Sequence, residues 1–284
     1  MTVRLRLDLA YDGTEFSGWA IQPGRRTVAG SLTEALGRVF GAGGARGLTV
    51  AGRTDAGVHA TGQVCHIDVD PAAFERLGRA HGSAPPSSPA DSLVRRLAGL
   101  LPPDVRVRAA SVAPFGFDAR FAALARRYEY RVTDADGGGD PLQRHRTLHW
   151  PRRLDLTALN AASAGLIGEH DFAAFCRRRE HATTIRALTE LSWRPVGPEV
   201  YAATVEADAF CWSMVRSLVG ALLTVGDGRR PVDWPARLLT ESRRVDDVAV
   251  APAHGLTLVS VTYPPTGAEM SARDGATRKL RSTR

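Results

Sequence analysis

Residues 3–11, VRLRLDLAY, put Val3, Leu5, Leu7 and Leu9 on one face of an extended chain and Arg4, Arg6 and Asp8 on the other. A helix would scatter those apolar residues around its circumference, whereas a strand keeps them together. Two-sided polarity of this kind belongs to antiparallel sheets, because parallel strands are usually buried on both faces. The stretch therefore commits the chain to a sheet with one covered side.

The same alternation returns in QVCHIDVD (63–70), VRVRAASV (105–112), RYEYRV (127–132) and GLTLVSVTY (255–263). IRALTELSWRPV followed by EVYAATVEAD reads as a hairpin. Between these segments the period becomes helical. Val28, Leu32, Ala35, Leu36 and Val39 share a face, with Thr27 as N-cap and Gly41 as stop. SLVRRLAGLL ends at Pro102-Pro103, LDLTALNAASAGLIG (154–168) has Asp155 as N-cap, and SMVRSLVGALLTVG (213–226) is a further helix. Strands plus one long helix in each half predict an α+β fold of two similar lobes, 1–112 and 113–264. HGSAPPSSPADS (81–92) reads as a loop. Residues 265–284 lack apolar periodicity and read as a basic, disordered tail.

Composition narrows the function classes. With 284 residues, 44% of them hydrophobic, the chain can bury a substantial core. Its longest apolar run, Val215 to Val225, is broken by Arg216 and Ser217 and is too short for a membrane span. The N-terminus shows no signal-peptide pattern, so a cytoplasmic protein is expected. Cys65, Cys176 and Cys211 lie far apart without a C-x-x-C, which predicts free buried thiols rather than a disulfide framework or zinc site. The net charge of +7 points to a polyanionic partner. Two facts temper it. The tail contributes +3, and every basic residue except Lys279 is arginine, a bias that codon composition also produces.

Three stretches could carry chemistry. In GRTDAGVHATGQ (52–63), Asp55 stands between Gly52 and Gly57, with Arg53 and His59 close by. Asp beside Gly is ordinary turn chemistry, so a structural and a catalytic role both remain open. On the helix 213–226, Ser213, Arg216, Ser217, Gly220 and Thr224 form a stripe. It faces either water or a cleft in which Arg216 meets a carboxylate. ARFAALARRYEYR (119–131) interleaves Arg120, Arg126, Arg127 and Arg131 with Phe121, Tyr128 and Tyr130. Arginines for phosphate and rings for stacking suit RNA, but a plain amphipathic strand gives the same pattern. His59, His66, Asp68 and Asp70 could be read as metal ligands. Their spacing fits no hydrolase motif, and neither H-E-x-x-H nor G-K-[ST] occurs.

Taken together, LAYDGTEFSGW (9–19), GRTDAGVHATGQVCHID (52–68), FDARFAALARRYEYRV (117–132), GEHDFAAF (168–175), MVRSLVGALLTVGDG (214–228) and APAHGLTLVSVTYP (251–264) resemble the TruA family of tRNA pseudouridine synthases. The resemblance implies two RNP-like, ferredoxin-like lobes joined in one mainly antiparallel sheet, flanked by helices, with a central RNA-binding cleft. It implies isomerisation of uridine to pseudouridine at positions 38, 39 and 40 of the tRNA anticodon stem-loop, by a homodimer, with no cofactor and no metal. Asp55 matches the catalytic aspartate, Arg216 the basic residue paired with it, and Tyr128 the active-site tyrosine. Arg53 matches the arginine that helps extrude the target nucleotide. Thr54, His59, Gln63, Arg126 and Arg127 fall in the motifs that meet RNA. A non-catalytic tRNA-binding or chaperone module is the alternative. The chain departs from the family's pattern at Ala20, at Asp118 and at Ala209-Phe210-Cys211-Trp212, which puts RNA contacts and helix entry in question rather than Asp55. The arginine run CRRRE (176–180) lines an RNA path or a solvated surface.

Overall fold

A computed structural model describes residues 2–79, 87–177 and 183–282. Among them are ten strands and seven α-helices, with mainly antiparallel pairing, so the chain is an α+β protein. It divides into two compact units, Met1–Leu124 with Ser260–Lys279, and Ala125–Val259 with Leu280–Arg284.

The first unit is built on β1 (Val3–Tyr11), whose Leu5, Leu7 and Leu9 are fully buried. Burial of each leucine contributes roughly 1.5–3 kcal/mol. Helix α1 (Val28–Phe40) starts where Thr27 accepts a hydrogen bond from Gly30 N, and it buries Val28, Leu32 and Leu36. Strand β2 (Ala45–Val50) pairs with β3 (His59–Val69), and β3 pairs antiparallel with β1. Asp70 caps the short α2 (Pro71–Arg76). Ser88 caps α3 (Pro89–Leu100), so the last residues of the expected 81–92 loop are helical and its first six lie outside the described residues. Strand β4 (Val105–Val112) lies antiparallel to β1 on the side away from β3.

The second unit begins with β5 (Ala125–Thr133), which has the two-residue β6 (Leu148–His149) parallel to it. Asp155 caps α4 (Leu156–Ala164) by accepting from Thr157 N and Ala158 N. Strands β7 (Gly168–Asp171), β8 (Ile185–Gly197) and β9 (Val200–Ala207) follow. The unit's sheet runs β5-β9-β8-β7, all antiparallel, with β8 and β9 as the expected hairpin. Helix α5 (Met214–Gly226) is buried along most of its length. The single turn α6 (Trp234–Arg237) precedes β10 (Leu256–Thr262), within which the division between the units falls.

Two sequence expectations need correction. The last twenty residues are not a disordered tail: α7 (Gly267–Ser282) occupies most of them. Thr266 and Glu269 form a reciprocal capping box, with Glu269 N donating to Thr266 Oγ1 and Thr266 N donating to Glu269 Oε2. Met270 is buried, and Arg278 donates to Asp118 Oδ2 at 2.9 Å while lying 4.1 Å from the centre of the Phe121 ring. Helix-favouring Ala, Glu, Met and Arg with two tethering contacts suffice where a continuous apolar stripe is absent. The same ion pair explains what Asp118 does in this chain. Secondly, the three cysteines are not all free. Cys176 and Cys211 are joined, with Cα atoms 5.8 Å apart, and only the buried Cys65 remains a thiol. Thirty-five residues separate the pair, so only the fold brings them together.

Candidate functional site

Asp55 lies half-buried in the loop between β2 and β3. The backbone around it is fixed from several directions. Trp19 N donates to Thr54 O at 3.0 Å, Gly57 N to Phe16 O at 3.2 Å, and Val58 N to Asp55 O at 3.2 Å. Gly18 has a left-handed φ of +92°, and a Cβ there would lie 2.9 Å from Thr54 O and 3.2 Å from Asp55 C. The 13–19 turn can therefore press against the loop only as glycine.

Side chains secure it from beneath. Gln63, fully buried, donates through Nε2 to Gly52 O at 2.9 Å and to the Tyr11 hydroxyl at 3.1 Å. The Tyr11 hydroxyl also shares a hydrogen bond with Thr54 Oγ1, 2.8 Å away. Burial pushes the Tyr11 phenol up to about 12, opposed by its bonds with Thr54 and Gln63, so it stays neutral. His59 is buried as well; its Nδ1 sits 3.0 Å from Gly13 N and 3.1 Å from Asp12 Oδ1. Of the motif's side chains, Arg53 is exposed, whereas Thr54, His59 and Gln63 turn inward and support the loop. The sequence reading missed Tyr11 and Trp19 as part of this assembly. Their signal was available: a tyrosine ending an alternating strand, and a tryptophan just beyond a glycine.

The residues weighed as metal ligands are dispersed in role. His66 Nδ1 accepts from Ala119 N, Asp68 receives two bonds from Arg4, and Asp70 caps α2. Among the described residues no group of three or more His, Cys, Asp or Glu could hold a metal ion.

In the second unit the alternation of β5 decides where its charges point. Arg126, Tyr128 and Tyr130 are buried on one face. Arg126 donates to Asp208 O, and the Tyr128 ring meets Phe210 edge-on, centroids 5.2 Å apart. The other face is a charge ladder. Arg127 pairs with Glu190 and Glu206, and Glu129 receives Arg131 and Arg194. Arg126 and Arg127 thus belong to opposite faces.

Arg216 is half-buried on α5. Its Nε donates to Ala251 O at 2.7 Å, and its carbonyl accepts from Ala251 N at 3.0 Å. Tyr130 donates to the next carbonyl, Pro252 O, and the positive charge of Arg216 works against the burial that raises the Tyr130 phenol. A Cβ at Gly220 would lie 2.0 Å from Ala249 O. The small residues of the α5 stripe therefore admit this chain's own segment 249–252.

Comparison with known proteins gives the family of the chain. A family model described as tRNA pseudouridine synthase matches residues 162–264. A tRNA pseudouridine synthase A of Frankia casuarinae is 57% identical over 98% of this chain and 96% of its own length. The protein of that name from Mycobacterium leprae is 53% identical over 99% and 96%. One from Streptomyces griseus is 52% identical over 99% and 94%.

Proposed function

Because the chain belongs to the tRNA pseudouridine synthase A family, we propose that it isomerises uridine to pseudouridine in tRNA, with Asp55 as the catalytic carboxylate. The observation that carries the assignment is the Asp55 loop. A carboxylate meant only to make a turn does not need three buried side chains and a packed glycine turn beneath it. Preorganisation of this kind suits a group that must meet a reacting carbon within a fraction of an ångström.

The chemistry follows from what the reaction demands. The N1–C1′ bond breaks, uracil turns, and C5 bonds to C1′; the C5 proton leaves and N1 gains one. Detachment leaves positive character at C1′, which Asp55 captures covalently or relieves by taking the C2′ proton. Arg216 is assigned the role of the family's basic residue. Tyr128 is assigned stacking on the uracil and the late proton transfer. Arg53, the exposed cation of the loop, is assigned to hold the vacated stack while the nucleotide is extruded, a step that costs a few kcal/mol. The finer reading names positions 38–40 of the anticodon stem-loop, a homodimer, RNP-like lobes, a cytoplasmic location and no cofactor. In support of a non-membrane setting, no helix among the described residues is long and apolar enough to cross a bilayer.

The test is to incubate purified protein with unmodified tRNA and measure pseudouridine. Asp55→Asn is expected to abolish turnover while leaving tRNA affinity within roughly tenfold, because phosphate contacts carry most of the affinity. Binding of tRNA by the wild-type protein without any product would return the chain to the class of binding modules. Product formation that stops on addition of EDTA would point instead to metal chemistry.

A further inference from the structure

Trp212 is 40% exposed, whereas Trp19, Trp193 and Trp234 are buried. Its ring is not loose. The Arg177 guanidinium lies 5.3 Å from the indole centroid, and Arg177 N donates to Trp212 O at 3.0 Å. The residues just before each, Cys176 and Cys211, are covalently joined. A flat ring and an exposed cation are thus carried on two backbone segments clipped together. The site lies two residues beyond Phe210, which packs on Tyr128, and four before Arg216.

A second cation, Arg244, lies within electrostatic reach of Arg177. Burial and the charge of Arg177 both push the Arg244 guanidinium below its ordinary range, with Asp246 opposing. Nη1 of Arg244 is buried and has no hydrogen-bond partner among the described residues. Two guanidiniums that repel one another, one with an unused buried N–H, call for an anion. An exposed indole calls for a flat apolar surface. A nucleotide supplies both.

We infer that Trp212, Arg177 and Arg244 form a contact for one unpaired nucleotide of the RNA, the indole stacking on its base and the guanidiniums taking its phosphate. The inference rests on the RNA substrate proposed above. Arg178 and Arg179, the neighbouring arginines, lie outside the described residues.

Trp212 is an exposed indole, so its fluorescence reports the contact directly. An anticodon stem-loop RNA should quench the wild-type protein, and Trp212→Phe should lose most of that quench while melting normally. Trp212→Ala should raise KM for tRNA roughly 5- to 150-fold, the range of base–aromatic stacking, with kcat within about twofold. Arg177→Ala should reduce the slope of log affinity against log salt by about 0.7–0.9, one phosphate contact. Quenching that persists in Trp212→Phe would overturn the inference. So would a Trp212→Ala protein that keeps its KM but loses kcat, which would make Trp212 a support for α5. If the wild-type protein makes no pseudouridine, the proposed function fails, yet the quench titration still decides this point.

Discussion

The Tyr11 hydroxyl accepts a hydrogen bond from Gln63 and shares another with the Thr54 hydroxyl, and all three side chains are buried. A polar chain of this kind is stable only while every member is paired. Tyr11→Phe removes the middle link and takes a hydrogen-bond partner from both Thr54 and Gln63. The expected cost is about 1–3 kcal/mol in stability. The expected effect on turnover is larger than on tRNA affinity, since the loop that carries Asp55 loses its anchor. Thermal melting and steady-state kinetics check both. A variant with wild-type melting and wild-type kcat would show that the backbone bonds alone hold the loop. The sequence makes Asp55 and its glycines legible, because they sit in one short segment. It does not make this network legible, because Tyr11 reaches Thr54 from 43 residues away and Gln63 reaches Gly52 from 11 residues away, and only the β1–β3 register aligns them.

Elements were legible where one local rule decided them. Thr27 and Asp155 cap the helices that the apolar spacing predicts, and β1 follows its alternation. β2 escaped notice because its ARGLTV is mostly half-buried and carries Gly47, which lends it no alternation to detect. The disulfide escaped because pairing depends on space, not spacing. α7 escaped because apolar period was taken as the measure of a helix, while T-x-x-E at 266–269 announced its start. Removing that announcement gives a test. Thr266→Ala should cost about 1 kcal/mol or a little less, and Arg278→Ala, which frees Asp118, should expose the last twenty residues to protease. Equal proteolysis rates in wild type and Arg278→Ala would mean that the ion pair does not tether the helix.

At the scale of the whole molecule, acid is the informative perturbation. Burial and the charge of Arg4 hold His66 below its ordinary 6.5, aided by Arg278 and opposed by Asp118 and Asp68. The unfolded chain therefore takes up that proton first. The stability this contributes is complete above pH 6.5 and declines as pH falls below it. Asp68, held down by its bonds from Arg4, adds a second loss that begins only below its ordinary 3.8. Denaturation midpoints at pH 7 and pH 5 should differ in the wild-type protein, and His66→Gln should narrow the difference, since Asp68 does not titrate in that window. An unchanged difference would assign the acid sensitivity to other histidines.

The division of the chain also bears on how it is made. Residues 260–279 belong with 1–124: Tyr263 donates to Ala119 O and packs on Phe117, Leu124 N donates to Thr262 O, and Arg278 closes on Asp118. Ala125–Val259 is one continuous stretch and is joined only by the last five residues, 280–284. Chains emerge from the ribosome at about 5–20 residues per second, N-terminus first. The portion that holds Asp55 is thus synthesised first and completed last, and it waits through some 135 residues of nascent chain for its final strand and helix. The bulk of the portion translated second, 125–259, is complete before residues 260–279 emerge. A truncated product that stops short of residue 260 would carry Asp55 in a unit lacking those closing contacts, which separates incomplete translation from functional enzyme.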